Sequence, residues 1–315
     1  MKILSVIPFR NNHQAAFESA QQLQKAGFKK NNICLIDDCS QLQCQKIEKL
    51  GVSIKNQRNK GWAHSTNNAI AKLKPSYFIP LGAGDSLLPG SFHKLNQAIK
   101  KHPECGLFFW PIEEIAEKTK QRMSLMNCLN TICKDKVIYP EDAEFLLYGK
   151  ALIGQACFKT SSWEKAGRFR PSLKWHADHF VFHMLASQEP IYYFAQPIGT
   201  FLRSKSSLGT RSEGYEQIDL CKSTVKWLEC PANRSKRDVV IKSGALCVFE
   251  HVLSKFMQNH HSRNIYIDSK MRRWLFLKKV RGLVRHPIPK NVKEAFRKVF
   301  RTISTSKPHS PLNRN

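Results

Sequence analysis

The segment Ile33-Cys34-Leu35-Ile36-Asp37-Asp38-Cys39-Ser40 decides the fold of this chain. Its apolar start is typical of a buried strand, and it ends in two carboxylates and a hydroxyl group. Comparable apolar runs predict further strands at 3–8, 52–55, 77–81 and 105–110. Residues at helical spacing predict helices between the strands, at 14–26, 40–50 and 63–73. This alternation predicts a mostly parallel sheet covered by helices.

The loops that follow the predicted strands are the first candidates for a functional site. In open α/β sheets, ligands bind beyond the carboxyl ends of the strands, and nucleotides are common among these ligands. Four loops are therefore expected to meet at one cleft, at 8–12, 37–40, 57–62 and 82–86.

The chain has 315 residues, of which 42% are hydrophobic, and a formal net charge of +27. This hydrophobic fraction is enough for a substantial core and excludes disorder throughout. Beyond residue 110 the alternation weakens, and 112–150 is predicted to be an insertion of helix and loop. An apolar segment at 151–158 follows, with helices at 161–166 and 177–187 and strands at 191–196 and 198–203. Beyond about residue 210 the pattern is helical.

Ten cysteines are scattered along the chain without any C-x-x-C pair, and the apolar run at the N-terminus is too short for a secretory signal. The simplest interpretation is a set of reduced thiols in the cytoplasm. No stretch reaches the ~18–20 uninterrupted apolar residues that a bilayer-spanning helix needs. We therefore expect a cytoplasmic protein that does not span the membrane.

The positive charge is concentrated towards the C-terminus. Residues 210–315 carry a net charge of +15, against +9 for 1–110 and +3 for 111–209. Residues 270–301 contain 12 Lys and Arg and a single acid. Apolar residues recur among them at helical spacing, as an interfacial helix on anionic lipid requires. Alternatively, the apolar stripe packs onto the rest of the protein and leaves the charges in water.

Two further loops carry residues suited to ligand binding. Asn59-Lys60-Gly61 precedes the helix that contains Asn67, and Leu81-Gly82-Ala83-Gly84-Asp85 follows a strand. The two glycines leave the backbone bare enough for a phosphate or a sugar to approach, and Asp85 is the sole carboxylate in its loop. The alternative interpretation is structural: Asp38 or Ser40 caps the next helix, and the glycine-rich loop is an ordinary turn.

Taken in order, these motifs resemble those of glycosyltransferase family 2, nucleotide-sugar enzymes of the GT-A fold. The matching segments in the first half are Pro8-Phe9-Arg10-Asn11, Asp37-Asp38-Cys39-Ser40, Asn59-Lys60-Gly61, Thr66-Asn67-Asn68-Ala69 and Leu81-Gly82-Ala83-Gly84-Asp85. The match resumes at Gly167-Arg168-Phe169, Trp175-His176-Ala177-Asp178 and Leu202-Arg203-Ser204-Lys205. The resemblance covers about residues 3–209.

The resemblance implies a Rossmann-like, GT-A α/β fold with a mixed, mostly parallel sheet flanked by helices, followed by a helical extension. It divides the transferase domain, 1–209, into a nucleotide-binding half at 1–110 and an acceptor half at 111–209. The remainder is expected to form a basic helical extension at 210–303 and a disordered tail at 304–315.

The resemblance also implies a role for each matching residue. The residues expected to bind the nucleotide are Pro8, Arg10, Asp38, Asn59, Gly61 and Asn67. Those expected to face the diphosphate and sugar of the donor are Gly84, Asp85, Arg203 and Lys205. Asp178 occupies the place of the catalytic base, which takes a proton from the acceptor hydroxyl during an inverting displacement.

The segment around Asp178 also permits two other interpretations. Asp178 lies in the first turn of a predicted helix, where a carboxylate favours the helix dipole without any catalytic part. His179 and His183 are one helical turn apart and, with His176, invite a metal interpretation. No third ligand stands at a recognisable zincin-like spacing, so we expect these histidines to line the acceptor side or to face solvent.

The family usually holds Mg²⁺ or Mn²⁺ with an Asp-x-Asp motif, which is degenerate here. Gly82, Gly84 and Lys205 replace the usual ligands, so Asp85 is the one carboxylate left for a metal in that loop. A departing diphosphate still needs positive charge. We expect weak or no use of Mg²⁺ or Mn²⁺, with Lys205 standing in electrostatically for the ion.

The function expected from this resemblance is the transfer of a sugar from a nucleotide-diphosphate sugar to a glycan or lipid-linked acceptor. The protein would work at the inner face of the plasma membrane, attached peripherally through 270–303. One alternative is a catalytically inactive binding protein on the same fold. A second is a basic nucleic-acid-binding protein, although the chain has no recognisable nucleic-acid-binding motif and no specific nucleic acid is expected.

Overall fold

The computed structural model describes residues 1–41, 49–56, 58–117, 119, 121–126, 129, 132–150, 155–203, 215–249, 252–253, 263–267 and 269–285. The chain divides into two compact units, 1–261 and 262–315. The predicted boundary at 209 falls in a segment, 204–214, that lies outside the described residues.

The first unit contains an eight-stranded mixed sheet. Its strands, in spatial order, are β3 (Val52–Lys55), β2 (Ile33–Asp37), β1 (Ile3–Phe9), β4 (Tyr77–Pro80), β10 (Ala156–Lys159), β6 (Leu107–Phe109), β11 (Ile191–Tyr193) and β9 (Lys136–Ile138). The first four are parallel to one another, and β10 is antiparallel to both of its neighbours. Parallel pairing puts the carboxyl ends of β1 to β4 at one edge, where the predicted cleft loops lie.

A second sheet of four strands lies in the same unit, in the order β5 (Ser86–Leu87), β12 (Gly199–Arg203), β7 (Ile112–Ala116) and β8 (Arg122–Met126). Its strand β12 is antiparallel to β5 and parallel to β7. Because β5 follows the glycine-rich loop after β4, this sheet connects that loop to β12.

The helices of the first unit are α1 (His13–Lys25), α2 (Trp62–Leu73), α3 (Ser91–Lys101), α4 (Pro140–Leu146), α5 (Thr160–Lys165), α6 (Ala177–Ala186), α7 (Tyr215–Glu229) and α8 (Arg234–Lys242). Short 3₁₀ helices occur at Lys30–Asn32, Pro171–His176, Pro231–Asn233 and Ala245–Phe249. The second unit contains α9 (Arg263–Tyr266) and α10 (Ser269–Arg285). In the part of the chain described, no helix combines the length and the apolar character needed to cross a bilayer.

The two faces of the large sheet carry different cores, because side chains alternate along each strand. On one face, Ile7, Leu35 and Ile79 pack in a cluster that includes residues of α1 and α3. On the other face, the Phe78 ring lies 5.4 Å from that of Phe158, in an aromatic cluster with Trp163 and Phe169. The second cluster anchors the chain just before Pro171–His176.

The structure changes three of the predicted elements. The insertion predicted as helix and loop at 112–150 contains β7, β8 and β9, with α4 as its one helix among the residues described there. Its strands are short, and β8 is exposed along most of its length, so they lack the apolar runs by which strands were identified. The strand predicted at 191–196 ends at Tyr193. The helix predicted at 40–50 falls largely on 42–48, outside the described residues.

Candidate active site

The loops after β1 and β2 are fastened to each other. The backbone N–H of Asn11 donates to Ser40 Oγ at 2.8 Å, and the N–H of Gln41 donates to Asn11 Oδ1 at 3.0 Å. The Asp37 carboxylate accepts the N–H of Ser40 at 2.8 Å. Asn11 and Cys39 have left-handed φ angles of 53° and 67°, which non-glycine residues seldom adopt. These contacts fix the backbone of the two loops at this edge of the sheet.

Asp38 is buried and holds the turn before α2. Its Oδ1 accepts hydrogen bonds from Asn56 Nδ2 at 2.8 Å, from the N–H of Lys60 at 3.0 Å and from Ser65 Oγ at 3.1 Å. Its Oδ2 accepts the N–H of Gly61 at 2.7 Å. Burial favours the neutral acid, but these donors outweigh burial and lower the pKa of Asp38. Asp38 is therefore a carboxylate at neutral pH, whose oxygens orient the 59–61 turn.

The other predicted nucleotide residues lie on the same edge of the sheet. Pro8 is half-buried, whereas Arg10 is exposed beside Asn11. Asn59 is exposed, and its side-chain oxygen accepts the N–H of Gly61 at 3.2 Å. Gly61 has φ +80°, a conformation that favours glycine, and no atom lies within 4 Å of the Cβ it lacks. Arg10 and the turn at Gly61 thus border open space.

Helix α2 links this turn to the segment that precedes Asp178. Trp62 Nε1 donates to the carbonyl of Lys174 at 3.1 Å, and Asn67 Nδ2 donates to the carbonyl of Phe169 at 2.7 Å. The rings of Trp62 and Phe169 lie 5.2 Å apart. The same few residues therefore contact the Asp38 turn at one end and the 169–176 segment at the other.

Asp178 is half-buried in the first turn of α6, and its Oδ1 accepts the N–H of His179 at 2.8 Å. Four residues earlier, Lys174 has φ 47° and ψ −120°, an unfavourable conformation for a residue with a side chain. The bond from Trp62 to the Lys174 carbonyl helps to hold this strained backbone. The structure thus joins Asp178 to the Asp38 turn through Trp62, the first residue of α2, and through the 174–178 segment.

His176, at the end of the 3₁₀ helix before α6, and His179 and His183 of α6 are buried, which corrects the expectation that they face solvent; that they line the acceptor side stays a prediction. His176 Nε2 lies 3.1 Å from Gln217 Oε1, His179 Nε2 is 3.0 Å from the Ala245 carbonyl, and His183 Nε2 is 3.3 Å from the Lys150 carbonyl. A carbonyl accepts only from a protonated nitrogen, so Nε2 carries the hydrogen in His179 and His183. Among the residues described, no group of three His, Cys, Asp or Glu side chains is arranged to hold a metal ion.

These buried histidines make stability depend on pH. Burial lowers the pKa of all three, that of His183 to about 4. A folded-state pKa below the ordinary value of 6.5 means that the unfolded chain binds more protons than the folded chain. The contribution of these histidines to stability is therefore fully present above pH 6.5 and is lost as pH falls towards 4. For His183 alone, the loss at pH 5 is about 2 kcal/mol.

We expect the free energy of unfolding in urea to depend less on pH when the His183 imidazole is removed. The difference in unfolding free energy between pH 8 and pH 5 should shrink by about 2 kcal/mol in His183→Gln, whose amide can still donate to the Lys150 carbonyl. His93→Gln, at an exposed position, serves as the control and should keep the full difference. An unchanged difference in His183→Gln would contradict this assignment of the acid sensitivity.

Asp85 lies inside the protein, in a polar cluster between the two sheets. Its Oδ1 accepts the N–H of Leu202 at 3.0 Å, its Oδ2 accepts the N–H of Gly82 at 3.2 Å, and Gln155 adds a side-chain hydrogen bond. Gln155 in turn donates to the Thr200 carbonyl at 2.7 Å. Burial raises the pKa of Asp85 to about 7, because these three donors offset it only in part. Asp85 thereby ties the glycine-rich loop to β12.

Packing and backbone conformation explain why residue 84 is a glycine. Its φ is +104°, and a Cβ at this position would lie 2.7 Å from Leu202 Cδ2. Its N–H donates to Ser19 Oγ at 2.9 Å. Both observations fix the glycine-rich loop against α1 and β12.

Arg203, at the end of β12, has its Nε bonded to the carboxylate of Glu114, which is buried and also accepts the Ser124 hydroxyl. The hydrogen bond from Ser124 outweighs burial and, with Arg203, lowers the pKa of Glu114. Lys205, the expected partner of the diphosphate, lies outside the described residues.

The residues at the Asp-x-Asp place do not fit a divalent cation. Gly82 and Gly84 supply no side chain, and both oxygens of Asp85 accept backbone N–H groups. Mg²⁺ and Mn²⁺ need several oxygen ligands around one point, which the described residues of this loop do not bring together. The chemistry proposed below therefore involves no metal ion.

The structure gathers Arg10, Asp38, Asn59 and Gly61 at one edge of the sheet and connects Asn67 and Asp178 to them through α2. It places Asp85 and Gly84 in the neighbouring loop, with Asp85 turned inward. The sequence patterns did not indicate the partners that fix these groups, which are Asn56, Trp62, Ser65 and Gln155. Asn56 could have been identified from its place directly after the β3 run, where it matches the position of Asp38 after β2.

Solved structures of TarS from S. aureus share this fold. TarS 1-349 in complex with UDP-GlcNAc gives a TM-score of 0.63 at 14% identity, covering 95% of this chain and 92% of that chain. The complex of TarS 1-349 with UDP gives 0.58, with the same identity and coverage. A longer TarS chain gives a TM-score of 0.60 at 14% identity. The match covers 90% of this chain but only 53%, about half, of the longer TarS chain.

No protein-family model matches the sequence, and no curated protein matches it. The likeness to TarS confirms the predicted fold class: a GT-A-type α/β fold, with a mixed, mostly parallel sheet flanked by helices. The chain thus has the fold of a glycosyltransferase.

Proposed function

We propose that this chain is a glycosyltransferase that uses a nucleotide-diphosphate sugar as donor. The observation that carries the proposal is the match over 95% of the chain to TarS 1-349, which was crystallised with UDP-GlcNAc. The loops after β1 and β2 and the turn before α2 support it, because they are fastened in place at the edge of the sheet where such folds bind nucleotides.

The proposed reaction is a single displacement at the anomeric carbon. Asp178 takes the proton of the acceptor hydroxyl as that oxygen attacks, and the bond to the diphosphate breaks on the opposite face, which inverts the anomeric centre. Arg10 and the 59–61 turn bind the nucleotide, with Asp38 holding the turn in place. The strained backbone at Lys174 supports this assignment, because such strain is concentrated at functional sites.

The positive charge that stabilises the leaving diphosphate is assigned to Lys205. Arg203 is close by in sequence. The Nε of Arg203 is bonded to Glu114, so its charge is partly compensated, and Lys205 carries most of the proposed role. Sugar transfer should therefore persist in excess chelator. Lys205→Ala should lower kcat at least tenfold, whereas Lys205→Arg should retain most of it, since it keeps the charge. Complete loss in chelator alone would refute this role.

The function is tested by incubating the full chain with a panel of nucleotide sugars and measuring nucleotide release. UDP sugars are the first to use, because TarS was crystallised with UDP and UDP-GlcNAc. We expect one donor to bind and to release its nucleotide faster than the buffer blank. Titration with nucleotide diphosphates identifies the base independently of turnover. Absence of both binding and release across the panel would overturn the proposal.

A second candidate is a binding protein on the same fold that has lost catalysis. It is favoured by Gly82 and Gly84, which stand in place of the metal ligands. It predicts nucleotide-sugar binding without nucleotide release for any acceptor. The nucleic-acid alternative rests on charge alone, and sequence preference in an oligonucleotide titration at physiological salt would be needed to support it.

The acceptor is proposed to be a glycan or lipid-linked saccharide at the inner face of the plasma membrane. The basic helix α10 and the residues after it would hold the protein there, through Lys and Arg and through apolar side chains such as Phe276, which is 62% exposed. Residues 286–303 lie outside the described part of the chain.

Flotation with vesicles containing anionic lipid tests this attachment. The full chain should float with anionic vesicles and not with neutral ones, and a chain that ends at Asp268 should lose most of this binding. Each basic residue near the surface contributes ~1 kcal/mol at low salt, so binding should also fall steeply as salt rises. Equal flotation of the two chains would remove the membrane role.

A further inference from the structure

A cavity of about 290 Å³ lies in the first unit, between α6, the 166–173 segment and the helices α7 and α8. Asn67, Ala177 and Trp227 are among its lining residues. Its volume is close to the lower end of the range for small-molecule sites and equals that of roughly ten water molecules. None of the residue roles discussed above uses this space, apart from the bond between Asn67 and Phe169.

The floor of the cavity is apolar. One face of α6 supplies Ala177, Phe180, Val181 and Met184, which follow the spacing of a single helical stripe. Leu173 adds to this floor from the preceding segment. Water makes few hydrogen bonds over such a surface, so an apolar group of a ligand gains free energy there.

The rim of the cavity is cationic. Arg168, Arg170 and Lys236 line it, and in the described part of the chain the wall contains no carboxylate. Arg168 is bonded to Glu164 at 2.9 Å, but the structure records no ion pair for Arg170 or Lys236 within its described residues. The Arg170 guanidinium lies 4.8 Å from the centre of the Trp227 ring, which fixes its position. Two uncompensated cations thus stand beside an apolar floor.

Asn67 adds a polar group with unused capacity. Its Nδ2 donates to the Phe169 carbonyl, while its Oδ1 is buried and has no hydrogen-bond partner among the residues that the structure describes. A buried acceptor without a partner costs free energy, which a water molecule that donates to it can recover.

We propose that this cavity binds an anionic amphiphile, a phosphate or carboxylate head joined to a short apolar chain. The head lies between Arg170 and Lys236, and the chain lies on the α6 stripe. The site is adjacent to the proposed catalytic base, because Val181 stands three residues after Asp178 on α6 and therefore neighbours it on the helix surface. The binding proposed here does not depend on sugar transfer.

Titration calorimetry with hexyl phosphate tests the proposal on the full chain. We expect hexyl phosphate to bind at least tenfold more tightly than either hexanol or inorganic phosphate, because each of these lacks one half of the ligand. Lys236→Glu should weaken hexyl phosphate at least tenfold, and Lys236→Arg should not. Lys242→Glu, an exposed position on the same helix, is the matched control and should leave binding unchanged.

Hexyl phosphate binding no tighter than inorganic phosphate, or equal binding by Lys236→Glu and Lys242→Glu, would overturn the proposal. Vesicles that contain a long-chain alkyl phosphate distinguish the two sources of the ligand. Weaker vesicle binding by Lys236→Glu than by Lys242→Glu indicates a lipid headgroup, whereas equal vesicle binding, with the hexyl phosphate effect present, indicates a soluble ligand. UDP binding, measured in parallel, keeps this result separate from the fate of the proposed transferase activity.

Discussion

Replacing Asp178 with asparagine is expected to lower kcat for sugar transfer by at least 100-fold and to leave nucleotide binding within about twofold of the parent chain. An amide cannot take the acceptor proton, and a general base contributes about 10²–10⁴ in rate. The amide oxygen of asparagine can still accept the His179 N–H that Asp178 Oδ1 accepts now. Steady-state kinetics with the donor identified by the panel gives kcat, and titration with the nucleotide gives affinity.

The competing interpretation of Asp178, a carboxylate that only favours its helix dipole, makes a different prediction. Asp142 is also an acid in the first turn of a helix, α4, and it is exposed. Asp142→Asn should therefore cost the same few tenths of a kcal/mol in helix stability without affecting kcat. If both variants retain full turnover, Asp178 has no catalytic part and the mechanism above loses its base.

Replacing Asp38 with asparagine is expected to destabilise the first unit by about 3 kcal/mol. Four donors converge on this carboxylate, three of them on Oδ1. An amide group in either orientation places N–H₂ against at least one of these donors, and hydrogen bonds to a buried charge contribute roughly 1.5–3 kcal/mol each. The measurement is the urea midpoint with the slope of the transition unchanged.

The neighbouring Asp37 provides a control of the same residue type. Among the described residues its carboxylate accepts one hydrogen bond, from the N–H of Ser40, and an asparagine oxygen can keep that bond. Asp37→Asn should therefore cost less than about 1 kcal/mol. Equal losses in the two variants would mean that charge in this loop, and not the four donors around Asp38, accounts for the effect.

Strand and helix patterns were sufficient to predict β1 to β4, α1 and α2, but not β5 or α3. The runs that became β1, β2 and β4 are almost entirely buried, so their apolar character marked them directly. The second half was harder, because the strands at 112–126 combine exposed and charged residues with short apolar stretches. Such strands are defined by pairing with distant partners, as β7 is by β12, and local patterns carry little of that information.

The sequence indicated which loops share one edge of the sheet, but not the contacts that fix them there. Asp38 and Gly61 stood out as strand-end and turn residues, but the hydrogen bonds between them join residues 23 apart in sequence. The Asp85 side chain points inward because it bonds to Gln155 and to β12, which lies over 100 residues later. No local feature of the sequence indicates this. The role of α2 as a bridge depends on two side chains, Trp62 and Asn67, that reach backbone carbonyls more than 100 residues later.

The buried histidines at 176 and 179 determine where this protein can be shortened. Gln217 and Ala245, which contact His176 and His179, lie well beyond residue 209, where the sequence motifs end. A chain cut at 209 would leave two imidazole rings and the adjoining face of α6 open to water, next to the proposed base. A chain that retains residues up to 261 keeps this helical layer intact and is the smaller version to prepare for crystallisation with donor analogues.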